Sequence, residues 1–378
     1  MAWKPSSAVG LAIELSVMLC GLQLATSASV LAQGQKEAQG LVANYEKPVN
    51  FVAPGPSFHA GSALKGKTIY AIVSGESADF VQQFMKGLTD GAQVLGANVN
   101  IQDSTYDSTK AAELMDKAVA GGAAVIVTQS VDSNAVAASL GAAKKANIPV
   151  VEATSRDAGA APSELKKIGV SAIASFCYTC AGQQMAQYAV ASSQAPVHAL
   201  IYNVPGVVVS ANMVQGFSDE LKRLCSECSV TVVDAPAADW ESRLATLTTS
   251  NLQTHPEINT LVPVFDAMVG LIEPVLASSG LNKVSIVTYN ATKPALQLLA
   301  KKELVTGDVG GSPYWLGWAT IDQAARLATA TAPVDDVKVP HRLFDAINIQ
   351  SIDLGKPQQS WYADVDLKNE YSKLWQAR

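Results

Sequence analysis

Short apolar runs alternate with helical patterns along most of the chain, beginning at Thr68. The first run, TIYAIV, predicts a buried strand, and Phe84, Leu88 and Leu95 behind it keep helical spacing. The runs NVNIQD, AAVIVT and IPVVE predict three further strands, each with a predicted helix before it. Strand, helix and strand at this spacing predict right-handed crossovers, and therefore a parallel sheet.

The same pattern starts again near Val197. VHALIY, VTVVDA, TLVPVF and VSIVTY predict four strands and LVTGDV a fifth, with helical stretches between them. Two such sets predict an α/β fold with two doubly wound parallel-sheet lobes. Ligand sites in sheets of this kind lie at the carboxyl ends of the strands, where the loops converge.

The first 32 residues have a different texture. Lys4 supplies a positive charge, Val9 to Leu24 form a short apolar run, and small residues lead to a cleavage point near Ala32. This pattern is typical of a secretory signal peptide and predicts export to the periplasm, although Glu14 is unusual in a signal core.

The composition fits a compact exported protein of two domains. Its 378 residues include 48% hydrophobic and 16% charged residues, which is typical of a soluble α/β protein. The net charge of -6, without a long Lys/Arg run, argues against a nucleic-acid partner. Residues 33–67 are rich in Pro, Gly and polar side chains and predict an extended leader packed on the surface.

Four cysteines remain after the predicted signal, as two C-x-x-C pairs: Cys177 with Cys180, and Cys225 with Cys228. An even number in an oxidising compartment predicts two disulfides, and local pairing is favoured among the three possible connectivities. A zinc site is the alternative, although the gap between the pairs exceeds the usual spacing. A thioredoxin-like redox site is a further alternative, disfavoured because that motif is expected near the start of a chain.

No catalytic constellation assembles in the sequence. The four histidines stand apart from any nucleophile at a predicted strand end, and there is no G-x-S-x-G, H-E-x-x-H or Walker A motif. We therefore expect a protein that is not an enzyme and that has no metal and no cofactor.

The loops at the predicted strand ends carry aromatic rings beside hydrogen-bonding groups. Flat rings can cover an apolar face or the face of a sugar ring, while a few polar groups fix its orientation. Core packing is the alternative role for each ring, and helix capping for some of the acids. The candidate ligand-binding residues are Glu76, Phe80, Thr154, Ser155, Arg156, Trp240, Phe265, Asp266 and Asn290.

From Thr68 to Ile349 the chain resembles the type I periplasmic binding proteins of the ribose-binding and galactose-binding kind. The likeness rests on the order and spacing of VTQSVDSNAV, NIPVVEATSRD, HPEINTLVPVFDAM and VSIVTYNAT. It implies two lobes joined by a three-crossing hinge, which closes around a small-molecule ligand. It further implies a monomer that serves an ABC permease or, alternatively, a chemoreceptor or sensor kinase.

The resemblance also assigns roles to individual positions. Phe80 and Trp240 match the family's stacking aromatics, and Asn290 stands where an Asp usually accepts sugar hydroxyls. Either Thr154 with Ser155, or Ser155 with Arg156, matches its Asp-Arg pair.

Three family groups are missing: an Arg near residues 211–213, an Asn where Phe265 stands, and a Gln near Gly311. Unpaired buried hydroxyls cost about 1–3 kcal/mol each. The departures therefore favour a ligand with more apolar surface than a simple aldose.

The family's lobes are discontinuous in sequence. The resemblance implies a first lobe of residues 68–176 and 312–339, and a second lobe of residues 177–311 with residues 340–378 as its end and tail. Cys177 and Cys180 would then flank the first crossing.

Overall fold

The computed structural model describes residues 31–281, 283–302 and 304–377. The predicted signal peptide lies almost wholly outside these residues. Two sheets organise the described chain, and the predicted fold class is confirmed. Among the described residues, no helix is long and apolar enough to cross a membrane.

The first sheet has five parallel strands in the order β2-β1-β3-β4-β5. Its central strand β3 is buried along its whole length, as expected for a parallel strand covered on both faces. The strands are β1 (Thr68–Val73), β2 (Asn98–Asp103), β3 (Val125–Gln129), β4 (Val150–Ala153) and β5 (Val170–Ala174).

The second sheet has six strands in the order β11-β10-β9-β8-β6-β7. All neighbours are parallel except β11, which runs antiparallel to β10 and pairs His341 with Gly311. The strands are β6 (His198–Asn203), β7 (Ser229–Asp234), β8 (Thr260–Pro263), β9 (Ser285–Tyr289), β10 (Val305–Gly311) and β11 (His341–Asp345).

Helices connect the strands and cover the sheets. The first, α1, spans residues 31–45. The others are α2 (Asp79–Val94), α3 (Ser108–Ala120), α4 (Ala137–Lys145), α5 (Ser163–Ile168), α6 (Tyr178–Ser192), α7 (Val208–Leu224), α8 (Trp240–Thr254), α9 (Val269–Ser279), α10 (Lys293–Ala300), α11 (Pro313–Ala328), α12 (Gln359–Tyr362) and α13 (Leu367–Leu374).

The leader is not extended throughout, contrary to the prediction for residues 33–67. Its first part is the helix α1, because Ala38 and Val42 stand one turn apart and are both buried. This helix lies on elements that belong with the second sheet. The hydroxyl of Tyr45 donates to Oε1 of Gln187 in α6 at 2.6 Å, and Gln35 reaches the carbonyl of Ser193 just after α6 at 2.6 Å.

The rest of the leader crosses to elements of the first sheet. The ring of Phe51 stacks on Trp315 with centroids 5.9 Å apart. The N–H groups of Phe58 and Ala60 donate to the carbonyls of Leu374 and Trp375 at 2.9 and 3.0 Å. The leader therefore touches both halves of the molecule.

The C-terminal segment contacts elements of both sheets. Residues 341–345 pair in the second sheet, but α13 packs against α2 and α11, which cover the first. The reason is an aromatic stack in which Trp318 lies 5.8 Å from Tyr371 and 6.0 Å from Trp375. Tyr371 and Trp375 can bury their large apolar surfaces against Trp318 because α13 packs beside the first sheet and not beside the second.

A buried ion pair lies inside this junction. In α11, Nε of Arg326 donates to Oδ2 of Asp322 at 2.8 Å, and both side chains are 1% exposed. The indole of Trp375 donates to the other carboxylate oxygen at 2.8 Å, and the guanidinium of Arg326 lies 4.6 Å from the Phe58 ring centroid. The leader and the tail thus meet on one helix.

Candidate functional site

The first-sheet candidates lie in three places along the carboxyl edge. Glu76 follows β1 and is exposed, with its backbone N–H directed to Asp103 at 3.3 Å. Phe80 lies in the first turn of α2, is half-buried, and makes an edge contact with Phe176 at 6.3 Å between centroids.

The loop after β4 holds Thr154, Ser155 and Arg156. Thr154 has a φ of 59°, and its hydroxyl lies 3.0 Å from Nε2 of Gln129. The hydroxyl of Ser155 donates to the carbonyl of Val131 at 3.0 Å. Both hydroxyls therefore already make hydrogen bonds to residues that follow β3 or end it.

Arg156 is also engaged. Its guanidinium pairs through Nε and Nη2 with Glu152, which is fully buried in β4. Ser133 donates to the same carboxylate. Bidentate pairing of this kind fixes the guanidinium plane, so that only part of Arg156 remains for a ligand.

The second-sheet candidates Asp266 and Asn290 are brought together. Asp266 is buried after β8, and its Oδ2 accepts from the N–H and the hydroxyl of Thr292, both at 2.7 Å. Oδ1 of Asp308 accepts from the N–H of Ala291 at 3.0 Å. Two carboxyls therefore hold the loop that carries Asn290.

That loop is held in an uncommon conformation, since Asn290 has a φ of 125° and Ala291 a φ of 52°. Burial raises the pKa of Asp266 to about 6. Burial, and then the charge of Asp266, also raise the pKa of Asp308 well above its usual range. Neither carboxyl has a basic partner among its hydrogen bonds in the described chain.

Trp240 and Phe265 are half-buried rings at the ends of β7 and β8. The indole N–H of Trp240 donates to the carbonyl of Ala235 at 2.9 Å, which fixes the ring plane. With Pro236, Asp239 and Arg243, the ring lines a small surface pocket.

Four rings form a group that the sequence analysis did not select as ligand-binding. This hinge cluster consists of Phe176, Tyr178, Tyr289 and His341, in successive ring contacts of 5.7–6.0 Å. It lies where the chain leaves β5 and where β11 joins β10. Burial lowers the pKa of His341 to about 4, so its ring is neutral at pH 7. Phe176 follows β5, a strand that the sequence analysis does not predict, so no sequence signal marked this position.

Tyr106 is a second residue that was not selected. It follows β2, is 71% exposed, and has a φ of 61° directly after Thr105 with a φ of 53°. The carboxylate of Asp103 steadies this turn by accepting the N–H of Thr105 at 2.8 Å and that of Gly75 at 3.0 Å. An exposed ring held in such a backbone is a candidate contact at the rim.

The candidates thus form separate groups on one edge of each sheet, and Phe80 joins one group to the hinge cluster. The arrangement offers rings, hydroxyls and amides, which can bind a solute. Within the described residues, no group of His, Cys, Asp and Glu could hold a metal ion.

Comparison with known proteins gives a consistent result. Residues 69–332 match the model of a family described as the periplasmic binding protein domain. No curated protein sequence matches the chain.

Solved structures resemble 75–80% of this chain. A periplasmic ribose ABC transporter protein from Conexibacter woesei is 18% identical, with a TM-score of 0.69, covering 80% of this chain and 99% of its own. A solute-binding protein from Mycobacterium smegmatis with bound glycerol is 21% identical, with a TM-score of 0.65, covering 77% and 98%. A carbohydrate transporter from Acidothermus cellulolyticus in complex with myo-inositol is 20% identical, with a TM-score of 0.61, covering 75% and 96%.

Proposed function

The chain belongs to the periplasmic binding protein family, and from that membership we propose that it is an extracytoplasmic receptor which closes around a sugar or polyol and delivers it to an ABC permease. Proteins of this family bind a solute and perform no chemistry on it. We further propose that the chain acts as a monomer.

The observation that carries the proposal is the position of the half-buried rings. Phe80, Trp240 and Phe265 all lie at carboxyl ends of parallel strands, on two different sheets. A doubly wound sheet binds its ligand at this edge. A ring that is only half-buried retains a face for a solute, whereas a core ring does not.

The polar groups support a polyhydroxylated solute with an apolar face. Asn290 offers the rest of its amide to a solute, since the side chain also hydrogen-bonds Asp266, on a loop that two carboxyls hold in place. The hydroxyls of Thr154 and Ser155 are partly used elsewhere, which leaves fewer groups for hydroxyl binding. Glycerol and myo-inositol in two similar structures agree with this class of solute.

We place the first lobe at residues 68–176 and 312–339, and the second at residues 177–311 and 340–362. The pairing of β11 with β10 and the packing of α11 on α2 support these bounds. The leader and residues 363–377 are then additions that join the two lobes.

A thermal-shift screen of the protein against sugars, polyols and aromatic acids tests the function. A solute at 100 times its dissociation constant stabilises the folded state by about 2.7 kcal/mol. Small-angle scattering with the best solute should show a smaller radius of gyration, because the lobes close. A saturating solute that leaves the radius unchanged would refute closure.

Trp240→Ala tests the site itself. Loss of a stacking ring should weaken binding about 30-fold to 1,000-fold, in line with 2–4 kcal/mol at contact hot spots. Phe51→Ala is the matched control, because this half-buried ring packs on Trp315 and Tyr371, neither of which is a candidate ligand-binding residue. It should lower the melting temperature and leave affinity unchanged. Equal affinity in wild type and Trp240→Ala would show that the pocket is elsewhere.

A further inference from the structure

Two disulfides of the same ring size lie at opposite ends of two neighbouring helices. Cys177–Cys180 closes the first turn of α6, with Cys177 as the residue that caps its amino end. Cys225–Cys228 follows α7, with Cys225 at its carboxyl end. Because both are C-x-x-C pairs in one chain, each is a control for the other.

The helix ends give the two pairs different electrostatics. The amino end of a helix carries about half a positive charge and stabilises a thiolate, whereas the carboxyl end destabilises one. The backbone N–H of Cys180 also donates to Sγ of Cys177 at 3.2 Å. In the reduced protein this donor would face the Cys177 thiolate directly.

Nearby charges act against this difference. Asp157 opposes a thiolate at Cys177, since it accepts the N–H of Thr179 in the same helical turn at 3.0 Å. Lys222 and Arg223 in the last turn of α7 would favour one at Cys225, but Arg223 is already paired with Glu220 at 2.8 Å.

The exposure of the two disulfides also differs, and it too favours attack on Cys177–Cys180. Cys177 and Cys180 are both half-buried. Cys225 is only 2% exposed, and Sγ of Cys228 accepts the N–H of Val197 at 3.0 Å. An incoming thiolate therefore meets two partly exposed cysteines at α6 and one at α7.

We propose that Cys177–Cys180 is a redox-responsive disulfide that exchanges with external thiols, and that Cys225–Cys228 is a structural one. A reductant thiolate attacks Sγ of Cys180, the S–S bond breaks, and Cys177 leaves as the thiolate with the electron pair. The second thiol of a dithiol reductant loses its proton to water and attacks the reductant sulfur of the mixed disulfide. The oxidised reductant closes on itself, Cys180 is released as a thiolate, and two electrons have passed to the protein.

The pair stands at the first crossing between the sheets. The N–H of Ala158 donates to the carbonyl of Phe176 at 2.8 Å, and Thr179 is bound to Asp157. These two contacts attach the first turn of α6 to the first lobe. Reduction of Cys177–Cys180 removes the covalent restraint on that turn. If the lobes close as proposed above, the redox state of this pair therefore changes the stiffness of the hinge.

Graded ratios of reduced to oxidised dithiothreitol test the redox difference on the full oxidised chain. Quenching with N-ethylmaleimide and peptide mass spectrometry then report each pair separately. Cys177–Cys180 should be half-reduced at a ratio about tenfold lower than Cys225–Cys228, because a more stable thiolate favours the reduced form. Reduction of both pairs at one ratio, or of Cys225–Cys228 first, overturns the proposal.

Thiolate absorbance measures the electrostatic origin directly. In Cys225→Ser/Cys228→Ser, the reduced Cys177 thiol should titrate below the ordinary pKa of about 8.5. A pKa at or above that value overturns the assignment even if the two pairs differ in access.

Hydrogen exchange tests the hinge without any solute. The amides of Ala158 and Thr179 should exchange about tenfold faster in Cys177→Ser/Cys180→Ser, since this change opens the local turn. They should be unchanged in Cys225→Ser/Cys228→Ser. Equal protection in both variants overturns the hinge effect, whatever the outcome of the solute screen.

Discussion

The buried pair of Asp322 and Arg326 should be worth far more than an exposed pair of the same spacing. Asp322→Asn keeps the shape of the side chain but leaves the guanidinium of Arg326, 1% exposed, without its counter-charge. Breaking a buried pair on one side costs about 3–5 kcal/mol. For domains of this size, each kcal/mol lowers the melting temperature by about 2–4 °C. The expected loss is therefore about 6–20 °C.

The chain contains the matched control. Asp239 and Arg243 are also four residues apart and 2.9 Å from each other, but their side chains are 36% and 74% exposed. Asp239→Asn should cost about 0.2–1 kcal/mol, as is usual for surface pairs. Melting followed by circular dichroism compares the two variants at one pH.

A double replacement separates charge from packing. In Asp322→Asn/Arg326→Met the buried guanidinium is gone and the side chain at position 322 can still accept the indole N–H of Trp375, so that much of the loss in Asp322→Asn should be recovered. If Asp322→Asn melts within a few degrees of Asp239→Asn, the unpaired charge of Arg326 does not destabilise the folded protein as expected, and the argument is refuted.

Three further predictions follow from burial and close contact. His341 has a pKa of about 4 when folded against 6.5 otherwise, so the unfolded state binds more protons as the pH falls through this window. In urea titrations, wild type should lose up to about 3 kcal/mol relative to His341→Gln between pH 7 and pH 4, and parallel profiles would contradict this. Asp266 should change stability in the opposite direction as the pH falls, because its folded pKa of about 6 lies above the ordinary 3.8. Wild type should therefore gain about 2 kcal/mol relative to Asp266→Asn as the pH falls from 7 to 4, and a loss would contradict the burial of this carboxyl. Gly182→Ala would place a Cβ 2.1 Å from the carbonyl of Met213, where α6 meets α7, and should cost about 1–3 kcal/mol. Gly141→Ala in α4 meets nothing within 4 Å and should stabilise by about 0.4–1 kcal/mol; equal melting temperatures would refute the close contact.

The fold could be predicted because its strands are short apolar runs with a clear period. TIYAIV became β1 and LVTGDV became most of β10. The strand β11 (HRLFD) was not predicted, since His341 and Arg342 are buried polar residues and their partners come from distant segments. Arg342, for instance, donates to the carbonyl of Glu46 at 3.3 Å.

The site could be predicted only as positions along an edge. Phe80, Trp240 and Asn290 do lie at strand ends. The sequence could not show that Arg156 is bound by Glu152, because the two face each other only after the turn at Thr154 is formed. The helix α1 could not be predicted for a similar reason, since Pro and Gly near residues 48–61 dominate the leader and conceal the shorter helical pattern before them.

The junction of leader and tail makes the first lobe depend on both ends of the described chain. Gln376 donates to the hydroxyl of Ser57 at 3.2 Å, across 319 residues of sequence. The chain must lose the entropy of closing this long loop before the contacts between leader and tail can form. The first lobe should therefore be completed late in folding. The leader also contacts α6 beside the second sheet, so unfolding of either lobe breaks contacts of the leader. The molecule should therefore melt in one cooperative calorimetric transition rather than in two.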